Sequence, residues 1–269
     1  MNLCPVILLA DRSNSDVDAT ASTLESGLAD VVAFIDVDGD DLSEAQLAIA
    51  IGGDGTLISH GPMLAMRDIP LVGVNCGNLG FLAKFDAESL IEQRGAIFPE
   101  PPPTLKAMML EVRVDDGQAT IAMNEAMIAA GHPFRILELG LSINNVPAPT
   151  LHGDGIIVST PIGSTAHSAS VGGPIMDPSA DAFVLTPVAA HSLANRPIVL
   201  DAGAKVTVDI LKANRGTSLV IDGKVHCQLK TGMQVHVKRS EYTLSIVLNP
   251  SSTYWNTLVD KLHWAAPPG

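Results

Sequence analysis

The sequence predicts two units of different fold class, a parallel α/β unit followed by an all-β, sandwich-like unit. Three observations carry this reading. Up to residue 98, short apolar runs alternate with segments of helical periodicity. Pro99-Glu100-Pro101-Pro102-Pro103 can continue neither a helix nor a central strand, so it reads as a linker. Beyond it, short strand-like runs follow one another with Gly, Asp and Asn between them.

In chain order, Val6–Ala10 is a short apolar strand. Ser15 can cap a helix whose Val17, Ala21, Leu24 and Leu28 recur at helical spacing. Val31–Ile35 and Leu47–Ile51 read as strands, Thr56 to about Met66 as a helix, and Leu71–Val74 as a strand. A further helix starts near Asp86 and carries Leu90 and Ile91. After the prolines, strands are expected at Met108–Val114, Ala119–Met123, Leu137–Ile143, Ile156–Ser159, Val206–Leu211, Leu219–Asp222, Gln234–Lys238 and Leu244–Leu248. A closing helix, Tyr254–Leu262, sets Tyr254, Leu258 and Leu262 on one face, so it should pack on something.

Four blocks carry chemistry. Ile51-Gly52-Gly53-Asp54-Gly55-Thr56 follows a strand and opens a helix. Its glycines leave backbone N–H groups and a helix N-terminus free for phosphate oxygens, with one carboxylate among them. Alone, this run is equally an ordinary tight turn. Asn75-Cys76-Gly77-Asn78-Leu79-Gly80-Phe81-Leu82 follows the next strand at the same sheet edge, and Phe81 offers an apolar surface for a base. Asn124-Glu125 follows a strand, and both side chains suit vicinal hydroxyls. Gly153–Pro174 runs from a buried strand into a loop crowded with Ser, Thr and Gly, a composition suited to a nucleotide pocket. No GxGxxG, GxxxxGK[ST] or GxSxG occurs, so the dinucleotide, P-loop and hydrolase-elbow fingerprints are all missing.

Composition narrows the partners. With 16 Lys and Arg against 29 Asp and Glu, and no basic cluster, nucleic acid is not an expected ligand. A polyanionic substrate would need backbone amides, a few cations and Mg²⁺. No apolar run is long enough to span a bilayer and no signal segment opens the chain, so no membrane partner is expected. Cys4, Cys76 and Cys227 are scattered without ligand spacing, which fits a reducing cytoplasm.

Taken in order, GGDGT, NxGxLGFL, NE and DGxxVSTPxGSTAxSxSxGGP resemble the NAD kinases. So do Leu185-Thr186-Pro187, His191-Ser192-Leu193, Arg196-Pro197, Asp222-Gly223 and Lys261-Leu262-His263-Trp264. The resemblance runs from about Ile49 to Trp264. It implies a Rossmann-like N-terminal domain (1–98), a C-terminal β-sandwich NAD-binding domain (104–248), and a segment (249–269) whose helix returns to the N-terminal domain. The implied activity is phosphoryl transfer from ATP, another triphosphate or polyphosphate to the 2′-hydroxyl of the adenosine ribose of NAD, giving NADP. The implied site is a crevice between domains of a homodimer or homotetramer, with a neighbouring subunit completing the NAD site.

Residue by residue, the resemblance makes Asp54 the acid at that hydroxyl and its general base. Gly52, Gly53, Gly55 and Thr56 become the phosphate turn, with Asn75 and Phe81 beside the nucleotide. Asn124, Glu125, Asp154, Ile162, Thr165, Ala166, His167, Ser170 and Asp222 become the NAD-binding set. Mg²⁺, or another divalent cation, is expected through the phosphates rather than through a side-chain cluster. A carboxylate within hydrogen-bond reach can take the hydroxyl proton as the bond to phosphorus forms. Asp54→Asn is then expected to keep the fold and NAD binding and lose turnover.

Four positions depart from the pattern. Ile162 replaces a Thr or Ser, His167 a Tyr, Val171 an Ala and Val259 an Arg. The first two alter the adenosine pocket, and His167 would make NAD binding pH-sensitive. Two other readings share some of these features. A diacylglycerol-type lipid kinase would share GGDGT without needing Gly153–Pro174, and a non-catalytic NAD-binding regulator would have no use for Asp54.

Overall fold

The structure is a computed structural model that describes residues 3–35, 42–77, 80–98, 102–132, 136–192 and 195–265. Pro99–Pro101 of the expected linker, Asn78, Leu79 and Leu193 lie outside the described residues. The chain forms two compact units: Met1–Lys106 together with Leu244–Gly269, and Ala107–Thr243.

The first unit contains β1 (Cys4–Ala10), α1 (Ser15–Gly27), β2 (Val32–Ile35), β3 (Leu47–Ile51), α2 (Asp54–Ala65), β4 (Leu71–Val74), α3 (Ala87–Glu92) and α4 (Arg94–Ile97). Its strands are parallel in the order β2-β1-β3-β4, and Leu244–Val247 adds beside β4 through Ile246 and Leu71. All residues of β3 and β4 are buried, as expected of parallel strands covered on both faces. Helix α1 turns Val17, Ala21 and Leu24 inward, and the Asn14 side chain caps it by accepting from the Asp16 and Val17 amides. The cap is therefore one residue earlier than Ser15. Because β1 leads outward to β2 while β3 leads to β4 on the other side, strand order reverses between β1 and β3. Ligands of parallel sheets bind outside the strand C-termini at such a point.

The second unit holds most of β5 (Thr104–Val114), then β6 (Thr120–Ala122), β7 (Glu125–Ala129), β8 (Leu137–Ile143), β9 (Val146–Gly153), β10 (Gly155–Ser159), α5 (His167–Ser170), β11 (Ala182–Val188), β12 (Ile198–Asp201), β13 (Lys205–Lys212), β14 (Ser218–Ile221), β15 (Lys224–Gln228) and most of β16 (Gln234–Val247). One antiparallel sheet has the order β12-β11-β10-β7-β14-β15. The other runs β16-β13-β8-β9 with β5 and β6 beside it. Alternate residues of the two sheets form one core: Ile128, Ile156, Val158, Phe183 and Leu185 meet Leu110, Leu137, Leu139, Val206 and Val208.

Two expectations change. Gln234–Lys238 and Leu244–Leu248 are not separate strands; they are the two ends of β16, and its last four residues belong to the first unit. The closing helix α6 (Tyr254–Leu262) matches its expected span, but Leu262 stays 39% exposed and the buried positions are Thr257 and Leu258. Among the described residues no helix is long and apolar enough to cross a membrane.

Candidate functional site

In the first unit the site is built on the β3–α2 turn. Helix α2 begins at Asp54, two residues before the expected Thr56, with Gly53 as its N-cap. Gly52 has φ +146°, and a Cβ there would lie 2.5 Å from Thr56 Oγ1, so the turn requires glycine. Gly53 and Gly55 differ. A Cβ on either would meet open space. Their bareness answers no packing need in the chain; it leaves the helix N-terminus open, where amides and the macrodipole favour an anion.

The Asp54 side chain ties this turn to the loop after β4. Its Oδ2 accepts from the Phe81 amide at 2.8 Å, and its Oδ1 from the Leu82 and Ala83 amides at 3.0 and 3.1 Å. A carboxylate has about four lone-pair positions, so one, on Oδ2, stays unused by these bonds. Gly80 makes the approach possible, since a Cβ there would fall 2.1 Å from Asp54 Oδ1. Asn75 Oδ1 accepts from the Gly77 amide at 2.6 Å, which holds the start of that loop. Phe81 is half-buried, its ring centroid 6.4 Å from that of Tyr254 in α6, so α6 covers part of the apolar surface it was expected to offer. Beside Thr56 and His60, a cleft of about 720 Å³ extends over the ends of β1 and β2. The Arg12 at its rim is paired with Asp18 and Glu25.

In the second unit the corner is Met123-Asn124-Glu125, and Glu125 begins β7. It is gripped on both sides. Asp222 Oδ1 accepts from the Asn124 and Glu125 amides at 2.7 and 3.0 Å, and its Oδ2 accepts from the Met123 amide at 2.7 Å. Opposite, the Thr160 hydroxyl donates to the Met123 carbonyl at 2.8 Å, and the Thr160 amide donates to the Asn124 carbonyl at 2.8 Å. Gly163 lies against the same peptide: a Cβ there would be 2.2 Å from the Asn124 carbonyl oxygen. Asn124 and Glu125 are thus buried, yet Asn124 Oδ1 and Glu125 Oε2 have no hydrogen-bond partner among the described residues. Such groups cost free energy unless a ligand meets them. Burial first, and the Asp222 charge second, push the Glu125 carboxyl up to about 7. Burial also raises Asp222, against the three amides and Lys224. Three amide donors favour charge on Asp222, so the proton of the pair rests on Glu125.

The remaining expected residues divide. Ile162 and Thr165 bound a one-turn 3-10 helix, Ile162 buried and Thr165 half-buried; Ala166 is half-buried, and His167 and Ser170 are exposed on α5. These adjoin the Asn124 corner through Thr160 and Gly163. Asp154 does not. It precedes β10, whereas Ser159 at the other end pairs with Glu125, so about five strand residues, roughly 17 Å, separate them. All three hydrogen bonds of the Asp222 carboxylate go to backbone amides of the Asn124 corner. Two contributors escaped the sequence reading, Gly80 and Thr160. Both stand inside quoted motifs, but nothing local says that one makes room for a carboxylate and the other props a distant peptide.

The chain resembles known proteins along most of its length. Residues 12–99 match the family model of the ATP-NAD kinase N-terminal domain, and 123–248 that of its C-terminal domain. The chain is 37% identical to an NAD kinase of Geobacter metallireducens, over 82% of this chain and 79% of that protein. It is 36% identical to one of Rhodopirellula baltica, over 82% of this chain and 73% of the other. Its fold is that of a yeast NADH kinase solved with NADH (TM-score 0.86, 20% identity, 100% of this chain and 90% of the other). It is also that of an NAD kinase from Archaeoglobus fulgidus solved with ATP (TM-score 0.75, 23% identity, 96% and 98%). These matches set aside the lipid-kinase and non-catalytic alternatives, and the chain belongs to the NAD kinase family.

Proposed function

We propose that this NAD kinase uses Asp54 as the base that takes the proton of the adenosine 2′-hydroxyl of NAD while the terminal phosphoryl group of ATP is transferred to that oxygen. The observation that carries the reading is the Asp54 carboxylate itself. Three amides fix it at the mouth of a helix N-terminus, it keeps one lone-pair position, and the flanking Gly53 and Gly55 are bare. Fixed placement is what general-base catalysis needs, because a proton acceptor must stay within hydrogen-bond reach of the attacking hydroxyl. As the oxygen–phosphorus bond forms, the hydroxyl proton passes to Oδ2, the bond to the leaving diphosphate breaks, and the amides of the turn face the phosphate charge.

Asn124 and protonated Glu125 would supply hydrogen bonds to the adenosine half. Ile162, Thr165, Ala166, His167 and Ser170 would line its base. Mg²⁺, when bound, neutralises phosphate charge. The ion would be carried mainly by the phosphates.

In this reading the enzyme is a homodimer or homotetramer in which a neighbouring subunit offers Asp154 to the nicotinamide riboside side of NAD. We place the enzyme in the cytoplasm, with no nucleic-acid or membrane partner.

An NADP-forming assay run in parallel with ATP and polyphosphate, on NAD and NADH, tests the reaction and names the donor and acceptor. Absence of product with every pair would overturn it. Mixing Asp54→Asn with Asp154→Asn subunits tests the shared site: recovered activity in the mixture supports it, and none rejects it.

A further inference from the structure

The first unit has six Lys and Arg residues, and four of them are engaged with partners of their own. Arg12 pairs with Asp18 and Glu25, and Arg94 with Asp30. Arg67 donates to the Met63 carbonyl past the far end of α2, and Lys106 donates to Ser245 Oγ. Lys261 is exposed in the last turn of α6. The sixth, Lys84, directly follows the three amides that hold Asp54.

Lys84 is half-buried and makes no ion pair within 4 Å among the described residues; its Nζ donates to Thr257 Oγ1. That hydroxyl in turn donates to the Thr253 carbonyl at 3.2 Å, so its lone pair is what the ammonium meets. Two of the three ammonium donors remain. The backbone is held as well: the Lys84 carbonyl accepts from Asn249 Nδ2 at 2.8 Å, and Asn249 Oδ1 accepts from Gln93 Nε2 and the Ser251 amide. Burial lowers the Lys84 pKa from its ordinary value, and the charges of Asp54 and Asp260 oppose that fall. A partly desolvated ammonium with no paired carboxylate gains from a ligand anion.

We propose that Lys84 is the protein's own cation for the phosphate group that meets Asp54. It is a binding and catalytic residue that acts by direct contact with a phosphate oxygen. The proposal rests on the reading of Asp54 given above. Lysine suits the task as a compact point charge with three donors, one of which is engaged by Thr257.

The test compares Lys84→Gln, Lys84→Arg and Asp54→Asn in the full-length chain, measuring kcat, both KM values and the shift in melting temperature caused by saturating ATP. Lys84→Gln is expected to lower kcat/KM for ATP about thirtyfold, as loss of a charged hydrogen bond does. It should leave KM for NAD within threefold and abolish most of the ATP-induced shift. Lys84→Arg should recover a third or more of kcat/KM. Asp54→Asn should lose turnover and keep the ATP shift. Parent-like kinetics in Lys84→Gln overturn the proposal for Lys84 alone, whereas parent-like turnover in Asp54→Asn overturns the reading beneath it. Should Lys84→Gln not fold, Lys84→Met is used, because it keeps the apolar stem. If that too fails to fold, the ammonium is a structural group and the proposal falls.

Discussion

The two units carry the same device with opposite surroundings. In each, an Asp followed by Gly accepts three consecutive backbone N–H groups from a distant segment: Asp54 from Phe81–Ala83, Asp222 from Met123–Glu125. Asp54 is half-exposed at the start of a helix, between glycines that face open space. Asp222 has φ +48° at the end of a strand, behind a buried second carboxyl that holds its proton up to about pH 7. The same hydrogen bonds therefore do different work. One set fixes a half-exposed carboxylate, the base of the proposed reaction, and the other uses a carboxylate to aim its neighbours.

Substitutions can break this contrast. The largest effect is expected for Asp54→Asn, which removes the proposed base and should lower kcat about a thousandfold. The three amides revise the expectation of an undisturbed fold. An Asn NH₂ would oppose an amide donor, so calorimetry should also show a loss of about 1–2 kcal/mol. Asp222→Asn should reverse that ranking, costing about 3 kcal/mol in a denaturant titration because the mismatch is buried. Its loss of activity should track weakened NAD binding rather than kcat.

Glu125 comes next, and the sign is definite. Its ordinary value is 4.5 and its native value about 7, so between them the folded chain binds the proton more tightly than the unfolded chain. The stabilisation is complete below about pH 4.5, falls as pH rises, and is gone above about pH 7. It amounts to at most about 3 kcal/mol. Unfolding of Glu125→Gln should lack this slope, and an unchanged slope would place the proton elsewhere. The smallest effect is at Gly80→Ala, where the methyl group must push Asp54 aside, at about 2 kcal/mol by thermal melting together with reduced kcat. Gly53→Ala is its control, since open space there predicts unchanged stability and a raised KM for the phosphate donor.

The sequence displays most of the parallel unit because each strand there is a continuous apolar run and each turn carries glycine. Five strands of the second unit went unread: β7, β9, β11, β12 and β15. Three of these are sheet edges. Strand β9 contains Pro147 and Pro149, which an edge tolerates because alternate N–H groups face away from the ladder. Strand β12 leaves Ile198 and Val199 exposed, so hydrophobicity there marks no inner face. The site was legible as motifs and not as connections. Asp54 and the glycines announced themselves, but the grip of Asp222 on Asn124 spans 98 positions and leaves no local trace. Lys84 had a faint signal as a lone cation just after Gly80-Phe81-Leu82. Only its burial and its Thr257 partner give that meaning.

Strand β16 has a consequence for how the molecule comes into being. It begins in one unit and ends as the parallel neighbour of β4 in the other. During synthesis Phe85 soon bridges the Val74 end of β4, but the Leu71 end emerges with an unpaired edge, and its partner follows about 170 residues later, after the whole second unit. At ribosomal speed, that interval lasts roughly ten to thirty seconds, long for an apolar edge. The second unit is contiguous and can complete itself first, while the nascent α/β unit waits for its last strand. Helix α6 and Thr257 arrive later still, so the anchor of Lys84 is set only when the polypeptide is nearly finished.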